Sequence, residues 1–351
     1  MIGIDISDRS IKVVEISGGE NPKLRTVCWS ALNPNLIRRG IVQDVAAVMQ
    51  GLEQALNKCS PVPVEGKRVV LSIPETQSFV RVLDLPAMSE REMNEAVQWA
   101  IRQHIPFDLE RVYLDWQPLA TSQTTPTHRQ VLVGAAQRDV IDPLLQVVDA
   151  LGLEVAALEL EAQAIVRCLL PQNAADVMGV LLVDLGATST NVIFVDEGAM
   201  RFTTSIQQGG DDLTQQLAQE FKLQPTIAAE KKALIGVQTN GNEAQIAATL
   251  RSATLRLVQQ VSQVVTEYTS QLQSSQGLRA ILLAGGAANL PGLVSIFAEV
   301  FPGIPVQLGN PWINLTMGNG KETSPPLSNA DAAHFTTAIG LALRSLEYAP
   351  R

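Results

Sequence analysis

The chain has 351 residues, 46% hydrophobic and only 4% aromatic, with a formal net charge of −9. No block of lysines or arginines occurs anywhere, which argues against nucleic acid as a partner, because neutralising phosphates needs clustered positive charge. Apolar runs such as Val177 to Val183 stop well short of the roughly 18 residues needed to span a bilayer, and the opening residues enter a strand at once, leaving no room for a signal peptide.

At this length two domains, or one bilobed unit, is the expectation. Cys28, Cys59 and Cys168 are dispersed without metal spacing, and the odd count predicts free thiols in a reducing, cytoplasmic compartment.

Residues 2–12 read IGIDISDRSIK, a short apolar strand that delivers Asp5 and turns straight back into a second apolar run. A strand from Val27 to Leu32 follows. The segment from Gly40 to Lys58 carries Val45, Val48, Met49, Leu52 and Leu56 at helical spacing, with Asp44 as N-cap. RVVLSIP is a buried strand closed by Pro74. Strands alternating with helices predict a mostly parallel sheet.

The texture changes near Thr76. SFVRVLDLP reads as a strand, and Ser89 with Glu92 forms a capping box for a helix running to about His104. VYLDWQPL and RQVLVGAAQ are strands flanking the polar loop TSQTTPTH, and a helix from Asp139 ends at Gly152. This unit of about 75 residues reads as an inserted subdomain.

From Gly179 the opening pattern returns. VLLVDLGA, TNVIFVD and AMRFTTSI make a meander, QQGGDDLTQQLAQEF turns into a helix, and a long helix places Leu250, Leu257, Val261, Val264, Tyr268 and Leu272 on one face. RAILLAGG is a strand, LPGLVSIFAEVF a helix, residues 309–333 a loop, and AHFTTAIGLALRSL the closing helix.

The chemistry lies in the repeated hairpin. Residues 181–192, LLVDLGATSTNV, match the design of residues 2–12: a strand delivers an Asp, and small or hydroxyl residues reverse the chain. Such a turn presents N–H groups and hydroxyls to phosphate, with a carboxylate behind it for a hydrated cation. Alone, Asp5 is more simply a turn or capping residue and Lys12 a solvated surface lysine. The second hairpin, with Asp184, Gly186, Ala187, Thr188 and Thr190, favours a paired phosphate site. Gly285 and Gly286 in LLAGGAANLPGL let backbone approach a ring or phosphate, or else serve a turn that needs positive φ. Gly209 and Gly210 before a helix N-terminus carry the same two readings.

The order of these elements resembles the actin-like ATPase (ribonuclease H-like) fold, an α/β two-lobed architecture with a small α+β inserted subdomain. Nearly end to end the chain resembles the PilM family of type IV pilus assembly proteins, relatives of the division protein FtsA. The stretches that carry it are GIDISDRSIKVVE, RRGIVQD, SFVRVLDLP, LDWQPL, LVGAAQRDVID, VDLGATSTNV, IQQGGDDLT, LLAGGAANLPGL, GNPW and AIGLALR.

The resemblance implies a first lobe of residues 1–75, 153–178 and 331–351, an inserted subdomain of 76–152, and a second lobe of 179–330. It implies ATP and Mg²⁺ in the cleft, with Asp5 and Asp184 behind the metal. Asp5, Ser7, Arg9, Ser10 and Lys12 would line the first phosphate loop, and Asp184, Gly186, Ala187, Thr188 and Thr190 the second. Gly209 and Gly210 would approach the nucleotide, and Gly285, Gly286 and Asn289 would pack against the adenosine. It further implies a cytoplasmic scaffold in pilus assembly and twitching motility that binds the N-terminal tail of the membrane protein PilN, with other platform proteins holding it at the inner membrane.

Two departures stand out. The family reads DIG and then small hydroxyl residues, whereas here Ser7 adds a Cβ and Asp8 a like charge beside the phosphate, with Arg9 a compensating bidentate partner. On the ribose side Glu230, Lys231 and Lys232 are consecutive rather than one turn apart, and Glu230 and Lys232 are the expected contacts.

No residue stands out as poised to activate water. Asp5, Asp184 and Glu161 are the acids to consider, and slow or absent ATP hydrolysis is expected. A small-molecule kinase on the same fold would need a general base in the first lobe, for which the inserted subdomain offers no obvious residue. An FtsA-like filament protein is the other alternative.

Overall fold

The computed structural model describes residues 1–19, 21–105, 108–119, 125, 127–171, 177–238, 243–271, 277–316 and 327–344. Strands β1 (Ile2–Ile6), β2 (Ser10–Ser17) and β3 (Lys23–Ala31) form an antiparallel meander, because the short links between them can only bring the chain back on itself. A small hairpin, β4 (Ile37–Arg38) and β5 (Ile41–Val42), leads to helix α1 (Val45–Leu56), whose N-cap Asp44 accepts the Ala47 N–H at 3.0 Å. Strand β6 (Arg68–Ile73) then lies parallel to β1.

After Pro74 a single 3-10 turn, Glu75–Gln77, carries the chain into β7 (Ser78–Pro86), helix α2 (Glu90–Ile101), β8 (Val112–Pro118) and β9 (His128–Gln137). The Ser89 and Glu92 capping box is present at the start of α2. The three strands form an antiparallel sheet in the order β7-β9-β8, with its own core of Leu83, Met93, Val97, Ile101, Val131 and Val133. Most of the polar loop before His128 lies outside the described residues.

Helix α3 (Arg138–Asp149) was expected within the inserted unit. Instead its Leu144, Val147 and Val148 share a core with Val48 and Leu52 of α1, against the outer face of the first sheet. An amphipathic stripe goes where it buries most apolar surface, and the first sheet offers more than the small insert. Strand β10 (Glu154–Leu160) pairs parallel with β6 and completes the order β10-β6-β1-β2-β3. The sheet is therefore mixed rather than mostly parallel, since alternation with helices governs only β6 and β10.

After α4 (Glu161–Leu169) the plan repeats. Strands β11 (Val180–Leu185), β12 (Thr190–Asp196) and β13 (Ala199–Ile206) form a meander, followed by α5 (Gly210–Glu220), α6 (Pro225–Ile235) and the long α7 (Ala244–Gln271). Strand β14 (Ala280–Ala284) runs parallel to β11, and after α8 (Leu293–Val300) β15 (Val306–Leu308) runs parallel to β14. The order β13-β12-β11-β14-β15 reproduces the first sheet strand for strand.

On α7, Leu250, Leu257 and Val261 are buried and Tyr268 stacks on Phe202 with ring centroids 4.3 Å apart; Leu272 lies outside the described residues. The closing segment is two helices, not one: α9 (Asn329–Ala333), inside the stretch read as a loop, and α10 (Thr336–Leu343).

Helices α4 and α10 lie between the two sheets. Ile165, Leu169, Ala338 and Ile339 meet Val14 and Ile16 of one and Leu182 and Ile193 of the other. Contact is close: a Cβ on Gly340 would stand 1.9 Å from the Ala164 carbonyl oxygen.

The cysteines depart from expectation. Cys28 on β3 and Cys59 form a disulfide with Cα atoms 4.2 Å apart, leaving Cys168 as the free, buried thiol. The pairing arises because Val27 and Ser60 exchange both backbone hydrogen bonds at 3.0 Å, which sets the two cysteines side by side despite a separation of 31 residues.

Candidate functional site

A cavity of about 430 Å³ lies between the two sheets where β1, β6 and β11 end. Its floor comes from the paired hairpins, and they are built alike. In the first, Ser7 N–H donates to the Ser10 carbonyl at 3.0 Å and Asp5 faces Lys12 across the strands; in the second, Gly186 N–H donates to the Ser189 carbonyl at 2.9 Å and Asp184 faces Asn191. Strand pairing therefore places an Asp and a longer polar residue together at the base of each turn.

From the first hairpin Asp5, Ser7, Arg9, Ser10 and Lys12 all line the cavity. Lys12 Nζ sits 2.8 Å from Asp5 Oδ2, and both side chains are largely buried. Asp8 lines the cavity as well, with its charge already shared among donors. Its carboxylate accepts the backbone N–H groups of Arg39 and Gly40, each at 2.9 Å, and the Thr188 hydroxyl at 3.0 Å. Arg9 Nε donates to Asp211 Oδ2 at 2.6 Å.

From the second hairpin Asp184, Gly186, Ala187 and Thr188 line the cavity, but Thr190 does not. Side chains alternate along a strand, so Ser189 and Asn191 face the cleft while Thr190 points behind it, fully buried, donating to the Gln208 carbonyl at 2.8 Å. Gly209 also stands behind the turn, where a Cβ would lie 2.5 Å from the Ala187 carbonyl oxygen. The N–H groups of Gly210 and Asp211 donate to Gly186 and Ala187, so the start of α5 braces the turn, and of the two glycines Gly210 alone reaches the cavity.

At the far end Gly285, Gly286 and Asn289 line the wall. Gly285 has φ +83, and a Cβ there would lie 2.6 Å from Asp184 Oδ1, so only glycine fits. The His334 ring from the closing segment packs over Gly286, and Asn289 Nδ2 donates to the Ala330 carbonyl at 2.7 Å. On α6, Lys232 reaches the cavity and donates to the Gly210 carbonyl at 2.6 Å, whereas Glu230, two residues earlier and so on another side of the helix, is exposed and away from it.

Glu161, one of the acids the sequence offers, closes the deep end together with Glu75, which no motif marks. Glu75 Oε1 accepts the Thr203 hydroxyl at 2.6 Å, and Glu161 Oε2 accepts both the Glu75 N–H at 3.4 Å and the Asn191 side-chain N–H at 3.3 Å. Asn191 Oδ1 is buried without a hydrogen-bond partner. Burial pushes the Glu75 carboxyl up to about 7, against the pull of the Thr203 hydrogen bond. Burial, and then the charge of Asp5, raises Asp184 to about 6, with Lys12 opposing. Glu161 is held well above its ordinary range by burial and by the charges of Asp5, Asp184 and Glu75.

Among the described residues no group of three or more His, Cys, Asp or Glu side chains forms a metal cage. Asp184 and Asp5, whose charge is near enough to raise the Asp184 carboxyl, suit instead a cation that keeps most of its waters and takes one or two carboxylates plus phosphate oxygens, the habit of Mg²⁺.

A second cavity, about 730 Å³, opens on the other side of the first lobe. It runs between β8 and β10, which are edge strands of their respective sheets. Tyr113, Leu114 and Trp116 line one wall and Ala157, Leu158 and Leu160 the other.

Two lobes of one topology, joined by two helices and enclosing a cleft floored by matched hairpins, make this an actin-like ATPase fold with a small α+β insertion. MreB 5 of Spiroplasma citri, solved with AMPPNP bound, has the same fold with a TM-score of 0.55 at 12% identity over 97% of this chain and 94% of that one. The solved PilM-PilN type IV pilus biogenesis complex aligns with a TM-score of 0.85 at 25% identity, over 98% of each chain. Cell division protein FtsA of Streptococcus pneumoniae serotype 2 is 22% identical over 342 residues, 87% of this chain and 74% of FtsA. The sequence profile of the type IV pilus assembly protein PilM matches residues 3–346, and the chain belongs to that family.

Proposed function

We propose that the protein is an ATP-binding scaffold of type IV pilus assembly that holds the extended N-terminal tail of a PilN-like membrane protein and links it to other components of the inner-membrane platform. The observation that carries this reading is the groove between β8 and β10. Two edge strands face a common channel whose lining mixes apolar side chains with charged ones such as Arg68, Asp115 and Arg344, the arrangement that captures an extended peptide by strand addition. Family membership and the likeness to the PilM-PilN complex support the same partner.

In the cleft, Ser7, Thr188, Arg9 and Lys12 are the donors for nucleotide phosphates, with Asp5 and Asp184 orienting hydrated Mg²⁺. Gly285 and Gly286 provide the flat wall for the adenosine. Glu161, the acid best placed to activate water, is held toward its neutral form, which disfavours the ionised state a general base needs. Slow or absent hydrolysis accords with a scaffold. No helix among the described residues is long and apolar enough to cross a membrane, and the proposed place of work is the cytoplasmic face of the inner membrane, reached through the partner.

Calorimetric titration with the N-terminal peptide of the organism's PilN-like protein, with and without Mg²⁺ and ATP, tests the reading. Saturable binding that is lost when Gly134, whose Cβ position points at Leu160 across the groove, is replaced by isoleucine supports it. Absence of binding to the folded wild type overturns it.

A further inference from the structure

Two hydrogen bonds cross the mouth of the cleft, and they are reciprocal. Asp8 of the first hairpin accepts the hydroxyl of Thr188 in the second, at 3.0 Å. Arg9, the next residue, donates across the cleft to Asp211 at the start of α5, at 2.6 Å. In each case a donor suited to a phosphate oxygen is held by a carboxylate of the opposite lobe.

Releasing the donor leaves the Asp8 carboxylate held by other bonds and the backbone of Asp211 in place. Asp8 keeps the Arg39 and Gly40 N–H groups. Asp211 is anchored through its own N–H to the Ala187 carbonyl at 2.8 Å. The Arg9–Asp211 pair is also easily broken: its side chains are 36% and 44% exposed, unlike the Lys12–Asp5 pair at 12% and 6%. An ion pair that wet contributes little, whereas a guanidinium on a phosphate gains a bidentate, doubly charged partner.

We propose that Asp8 and Asp211 are built-in counter-anions that the phosphates of a bound nucleotide displace, and that Asp211, through Arg9, sets the preference for a polyphosphate chain over a single phosphate. One phosphate group satisfies one donor and leaves the other cross-cleft bond intact; a di- or triphosphate releases both. The inference rests on the cleft being the nucleotide site.

The test is calorimetric titration of the full chain with Mg²⁺ and ATP, and with AMP, for wild type, Asp211→Asn, Arg9→Gln and the double variant, each first shown to melt as cooperatively as wild type. Asp211→Asn is expected to tighten ATP by about two- to fivefold, the release of one exposed ion pair. AMP affinity stays within about twofold, and the ATP gain disappears in the Arg9→Gln background, as coupling through one contact requires. An equal gain with and without Arg9 would mean a long-range charge effect, and no gain would mean no competition; either overturns the proposal. If wild type and Asp211→Asn both fail to bind ATP, the nucleotide reading itself falls and this proposal with it.

Discussion

Glu75, on the turn that leaves the first sheet, accepts a 2.6 Å hydrogen bond from Thr203 on β13 of the second. It is a buried polar tie between the lobes and the only bond its carboxylate receives from a side-chain hydroxyl among the described residues. Replacing Thr203 by valine leaves the shape and removes the donor. The expected loss is about 1–3 kcal/mol, the cost of an unsatisfied buried acceptor, read as a lower denaturant midpoint. Thr203→Ser should restore most of it, and a valine variant as stable as wild type would contradict the assignment.

The same carboxyl makes stability depend on pH. Burial holds its folded value at about 7, above the ordinary 4.5, so the native protein keeps this proton more tightly than the unfolded chain does. Its contribution is full below the unfolded value and is lost as pH rises through the folded one. Unfolding free energies measured from about pH 5 to about pH 8 should show wild type losing on the order of 3 kcal/mol relative to Glu75→Gln. A difference that stays flat over that window would show that Glu75 titrates as an exposed acid does.

Lys12 offers a separate test. It is the cation paired with Asp5 beside a floor that also holds Asp184 and Glu161. Lys12→Ala strands a buried carboxylate, an error that costs about 3–5 kcal/mol. The variant should melt well below wild type and bind ATP more weakly. An unchanged melting temperature would show that solvent reaches Asp5 freely.

Packing between the lobes makes a fourth prediction. With the Ala164 carbonyl 1.9 Å from the position of a new Cβ, Gly340→Ala must push α10 off α4. Overpacking of this kind costs about 1–3 kcal/mol. Gly340 lies within α10 and has no left-handed backbone, and alanine is the better helix former, so any loss reports the contact itself; a variant as stable as wild type would contradict the close packing.

What the sequence disclosed was what is written in neighbouring residues. Asp44, the Ser89 and Glu92 pair and the matched hairpin turns announce themselves within a few positions, and they sit where local chemistry puts them. Pairings set by the tertiary fold left no such trace. Cys28 meets Cys59 through a strand bridge, α3 joins the first lobe because its stripe finds a larger apolar face there, and Glu75 finds Thr203 across 128 residues. Strand alternation, applied to the second hairpin, would have exchanged Thr190 for Ser189 and Asn191. No comparable rule would have given Asp8 its partners, which lie at residues 39, 40 and 188.

Strands β6 and β10 are neighbours, and each passes from one cavity to the other at its end. Ile73 and Leu160 are walls of the second cavity; Glu75 and Glu161, a residue or two later, line the cleft and are joined by a hydrogen bond. A single pair of beams thus carries load from two rooms. A guest that prises β10 away from β8 pulls directly on the residue before Glu161, and a guest that draws the lobes together strains the turn that begins two residues after Ile73.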